Sequence, residues 1–79
     1  MSAKEMFEEL GYELDINVLD IIRYSKEEKD LKSVIRFNVD EKTISTNSVV
    51  NNDLWVLDIT SEELKAINKQ VEELGWNKW

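Results

Sequence analysis

The chain has 79 residues, 42% of them hydrophobic, with 17 acidic against 10 basic side chains and a net charge of −7. That length holds one domain, residues 1–79, with enough apolar content for a packed core. The acidic balance argues against direct binding to nucleic acid or an anionic membrane, both of which need a basic footprint. Histidine and cysteine are both absent, which excludes disulfides, thiolate metal sites and imidazole bases and fits a reducing cytoplasm.

In chain order, Ser2 followed by Glu5 is a capping box that opens a helix, with Met1 and Met6 at the two hydrophobic-staple positions. Ala3, Met6, Phe7 and Leu10 share its apolar face, and Lys4, Glu5, Glu8 and Glu9 point away. The helix stops on Glu8-Glu9-Leu10-Gly11-Tyr12. Glycine suits the left-handed residue after a helix, and in that arrangement Tyr12 folds back on Phe7. Tyr12, Leu14, Ile16 and Val18 then alternate, as either a short edge strand or an extended link.

The period of two continues. Ile22 and Tyr24 alternate with Ile21 and Arg23; Ile35, Phe37 and Val39 with Val34, Arg36 and Asn38. Ile44 and Thr46 follow, then Trp55, Leu57 and Ile59 alternating with Leu54, Val56 and Asp58. The charged runs 26–30 and 40–42 suit hairpin turns, and 47–53 reads as a polar connection. A second helix opens on the capping box Thr60–Glu63, with Ile59 and Leu64 as staple. It carries the stripe Leu64, Ile67, Val71 and Leu74 and stops on Glu72-Glu73-Leu74-Gly75-Trp76.

The simplest assembly is an α+β fold: an N-terminal helix, a three- to four-stranded antiparallel meander and a C-terminal helix, both helices on one sheet face. The expected core is Ala3, Met6, Phe7, Leu10, Ile22, Tyr24, Ile35, Phe37, Val39, Ile44, Trp55, Leu57, Ile59, Leu64, Ile67, Val71 and Leu74.

Chemistry is harder to find. The two glycines close helices, leaving none for a phosphate-cradling loop, and no serine lies in a nucleophile elbow. Glu62 and Glu63 sit in a first helical turn, where the dipole favours acids. Asp15 with Asp20, and Asp53 with Asp58, lack calcium-loop spacing. The expectation is no catalysis, no cofactor and no metal.

Two surfaces remain. Glu8, Glu9, Glu72 and Glu73 occupy last helical turns, where the dipole favours cations. Lys4 before Glu8 and Lys69 before Glu73 offset part of that cost, so these glutamates form either a solvated acidic face or a binding surface. The outer sheet face carries Arg23 and Arg36 beside Ile21, Val34, Leu54 and Val56, a mixture that suits a contact patch as well as a tolerant sheet surface. Trp79 either packs beside Trp76 or reaches a partner.

The segment Ala3-Lys4-Glu5-Met6-Phe7-Glu8-Glu9-Leu10-Gly11-Tyr12-Glu13 resembles the opening of a family of small uncharacterised proteins encoded by phages and prophages of low-GC Gram-positive bacteria. Ile22-Arg23-Tyr24 and the run from Glu63 to Trp76 resemble later blocks of that family. The resemblance covers a third to two fifths of the chain and implies a cytoplasmic accessory protein of a phage or mobile element, without an assigned activity. The leading expectation is a non-enzymatic protein that binds a host or phage protein, as a monomer or weak homodimer in the bacterial cytoplasm. The alternative is an acidic DNA mimic that inhibits a nucleic-acid-binding enzyme.

Overall fold

A computed structural model describes residues 1–76; the expectation for Trp79 falls outside the described residues. Helix α1 spans Ala3–Glu9 and helix α2 Ser61–Leu74. Between them lie β1 (Glu13–Val18), β2 (Ile21–Glu28), β3 (Leu31–Asn38), β4 (Thr43–Val50) and β5 (Asp53–Val56). The strands form one antiparallel sheet in chain order, so every pairing is between consecutive strands.

Both helix starts are capping boxes: Ser2 Oγ accepts from the Glu5 N–H, and Thr60 Oγ1 from the Glu63 N–H. Both stops are also of the expected kind. Gly11 and Gly75 adopt φ of +92° and +74°. The N–H of Tyr12 reaches the Phe7 carbonyl at 3.0 Å and that of Trp76 the Val71 carbonyl at 3.2 Å, the six-to-one bond of a Schellman ending.

The sheet is larger than the alternation pattern suggests. Residues 13–18 form an edge strand and not a link, which brings the number of strands among the described residues to five. Residues 47–50 belong to β4, and the polar connection shrinks to the turn Asn51-Asn52. Both asparagines have positive φ, 50° and 69°, the two left-handed residues of a type I′ hairpin. The polar run before them stays extended because its side chains have places in the sheet. Ser48 is buried opposite Ser33 on β3 and Trp55 on β5, and Ser45 Oγ accepts from Asn38 Nδ2.

Both helices cover one sheet face. The Phe7 ring stacks on Tyr24 with centroids 4.0 Å apart and meets Phe37 edge-on at 6.2 Å, while Phe37 meets Trp76 at 6.3 Å. Tyr12, Ile35, Ala66 and Ile67 complete the buried cluster.

Three expected core residues, Ile44, Trp55 and Leu64, are exposed. For Leu64 the cause is a rotation of α2. Its buried residues are Glu63, Ala66, Ile67 and Gln70, because two polar side chains turn inward to meet tyrosine hydroxyls. Tyr12 donates to Glu63 Oε2, and Tyr24 donates to Gln70 Oε1 at 2.7 Å. Trp55 is exposed because it lies on an edge strand. The strand period ends at Val56, beyond which Leu57 and Ile59 pack partly against the core.

Candidate interaction face of the sheet

Arg23 on β2 stands directly opposite Arg36 on β3. The two arginines have different surroundings. The β1–β2 register shifts between Leu14 and Ile16, and Asp15 sits at that bulge. It takes both ends of the Arg23 guanidinium, Nε at 3.0 Å and Nη2 at 2.8 Å, and accepts from the Ser25 hydroxyl at 2.8 Å. Those bonds, led by the arginine, hold the Asp15 carboxyl below its usual range against the opposing effect of burial. A bidentate pair of this kind is fully committed.

Arg36 has no such partner among the described residues. Its Nε donates to Asn38 Oδ1 at 2.9 Å, and Asn38 Nδ2 in turn donates to the hydroxyls of Thr43 and Ser45. Among the described residues Arg36 is in no ion pair, although the chain is strongly acidic. A neutral amide orients the guanidinium and leaves its charge uncompensated. Arg23, Val34, Arg36, Ser45, Asn47, Val49 and Leu54 line a shallow depression on this face. It combines an aliphatic floor, neutral polar groups, the Asp15-paired Arg23 and the amide-held Arg36.

Both arginines therefore share one place. Val34 and Leu54 join them in the depression as expected, and Asn47 and Val49 were not anticipated because that segment read as a loop. Asp15 was missed as the partner of Arg23. The signal for it exists only once the bulge is known, since an unshifted register would not align the pair.

The four glutamates do not share one place. The start of α1 lies at the end of α2, where Glu73 Oε2 accepts the Ala3 N–H at 2.8 Å. At the other end Glu9 and Leu10 lie with Glu62 and Lys65. The helices are thus antiparallel, and Glu8-Glu9 and Glu72-Glu73 come from opposite ends of the pair. Glu8 bonds to Lys4 at 3.1 Å, and Lys69 pairs with Glu72 at 3.6 Å in place of the expected Glu73. Three of the four are engaged within the fold.

Among the described residues no three acidic side chains gather in a metal-binding group, and no helix is long and apolar enough to cross a membrane. Comparison with known proteins finds no match: no family model, no curated protein and no solved structure.

Proposed function

We propose that the chain is a non-enzymatic binding protein that takes a protein partner on the helix-free face of its sheet. The observation that supports this is Arg36: an exposed guanidinium, held in orientation by Asn38, without a carboxylate partner among the described residues and beside Val34, Val49 and Leu54. Arginine beside an apolar floor is the composition of an interface centre. A partner carboxylate entering the depression would complete the pairing that Asp15 already supplies to Arg23. The acidic helix face is a weaker candidate, because most of its glutamates are bonded internally. The resemblance of its ends to small phage and prophage proteins supports reading this binding role as that of an accessory protein of a phage or mobile element, acting in the bacterial cytoplasm.

The test is capture from host and phage-infected lysates with the wild-type chain and with Arg36→Glu. A protein retained reproducibly by the first and lost by the second supports the reading. Retention that ignores Arg36, or no retained protein at all, overturns it. A retained nuclease released by salt and indifferent to Arg36 would instead favour the DNA mimic, whose binding rests on the acidic charge.

A further inference from the structure

The two edges of the sheet are guarded very differently. β1 carries a bulge at Asp15 and the acidic Glu13, devices that discourage a further strand from pairing. β5 opens on the acidic Asp53 but has no bulge. It contains no proline, lysine or arginine, and its register with β4 is unbroken over all four residues. Its side chains are exposed on both sides of the sheet: Leu54 and Val56 are 72% and 86% exposed, and Trp55 is 60% exposed.

The register also sets which backbone groups are open. In a two-residue I′ hairpin the closing pair, here Val50 and Asp53, is hydrogen-bonded, and bonded pairs recur at every second position. Ser48 and Trp55 form the next bonded pair. Leu54 and Val56 accordingly turn their N–H and C=O groups outward, where no strand among the described residues meets them.

We propose that the β5 edge is a strand-addition site for an extended, basic-flanked segment of a partner protein. This deepens the binding-protein reading and rests on it. Charge decides the occupant. Asp53 and Asp58 bracket the strand, and the whole chain carries −7. A second copy pairing through its own β5 would bring another Asp53 and Asp58 to the same seam, like charge against like. A strand with lysine or arginine at its ends meets those aspartates with opposite charge, and β-branched residues between them cover Leu54 and Val56. Main-chain bonds to the edge then supply affinity, and the side-chain pattern supplies selectivity.

The probe is a capped synthetic peptide, Lys-Thr-Val-Thr-Val-Thr-Lys, titrated into the ¹⁵N-labelled full chain. Saturable shifts and slowed amide exchange at Leu54 and Val56 are expected. Binding should weaken about tenfold when glutamate replaces both lysines, as expected when opposite-charge pairs become like-charge pairs. It should vanish when the peptide amides facing the edge are N-methylated. Val56→Pro, which removes one outward N–H, and Leu54→Lys, which adds a gatekeeping charge, should each abolish binding while the spectrum elsewhere stays folded. Arg36→Glu should leave peptide binding intact, so the edge and the Arg36 depression are read separately. No binding by the wild-type chain, binding that survives both β5 variants, or a concentration-dependent dimer lost in Val56→Pro would each overturn the proposal.

Discussion

Glu73 Oε2 accepts the backbone N–H of Ala3 at 2.8 Å, joining residues seventy positions apart. This bond resolves the misplaced charge at the end of α2. A carboxylate at a helix C-terminus is unfavourable for its own helix, yet here it serves the N-terminus of the neighbouring one, where N–H groups lack partners. Glu73→Ala should therefore cost about 1 kcal/mol, the scale of a lost N-cap. Glu72→Ala, which loses only an exposed pair with Lys69, should stay within about 0.5 kcal/mol. Urea denaturation of the two variants side by side checks the difference.

The Tyr12–Glu63 bond links the end of α1 to the start of α2. Tyr12→Phe should lower stability by about 1.5–3 kcal/mol, the range for a hydrogen bond to a charged group. Glu63→Ala should overlap strongly with it, because the same contact is removed, although Glu63 also accepts the Thr60 N–H. A double-mutant cycle with a coupling energy near zero would show that the two side chains do not act as a pair.

Stability should fall at both ends of the pH scale. Burial works to raise the Glu63 carboxyl, but the Thr60 backbone N–H and the Tyr12 and Thr60 hydroxyls outweigh it and hold the group below its ordinary 4.5. Asp15 is likewise held below 3.8. With folded-state values depressed, their contribution is present above those ordinary values and is lost as pH falls through the folded ones. Tyr24 runs the other way: burial, with the charges of Glu73 and Glu8, pushes its hydroxyl from 10.0 up to about 12. Its contribution is whole below pH 10 and disappears as pH rises towards 12. Melting curves across pH should show both limbs, with the acid limb shallower in Glu63→Gln.

The two helix-ending glycines should respond differently to alanine. At Gly75 an added Cβ meets nothing within 4 Å, so the cost is conformational alone, about 1 kcal/mol for a side chain at positive φ. At Gly11 the same strain applies, and the Cβ also comes 3.1 Å from Lys26 Cδ. That side chain lies over the Tyr12 ring, its Nζ 4.9 Å from the centroid. Gly11→Ala should melt lower than Gly75→Ala.

Core truncations separate the pattern from the packing. Phe37 is fully buried, and Phe37→Ala should cost about 3–5 kcal/mol. Leu64, half exposed despite its place in the helical stripe, should cost about 1 kcal/mol or less as Leu64→Ala. Equal losses at the two positions would contradict the rotation of α2 described above.

That rotation shows where sequence reasoning stops. Caps and stops were legible because they depend on a few neighbouring residues: Ser2 with Glu5, Thr60 with Glu63, and the two glycines. The alternation at Tyr24, Ile35 and Phe37 likewise revealed the covered sheet face. Periodicity treats Glu63 and Gln70 as surface residues, however, and only the position of two tyrosine hydroxyls turns them inward. The Asp15 bulge was hidden for a related reason, since a register shift is a property of two strands. Arg23 and Arg36 could be assigned to one face from their spacing alone. Their unequal pairing, which makes Arg36 the candidate contact, required the partners on neighbouring strands.

The chain-order meander also bears on how the molecule assembles. Hairpins between consecutive strands close short loops and form on a microsecond scale. The seam between α1 and α2 closes a loop of seventy residues and bears most of the entropic penalty. The sheet should zip first and the helical layer dock last, and the same seam should be the first to loosen. A transient opening there would unseat Phe7 from Tyr24 while leaving the strand ladder intact.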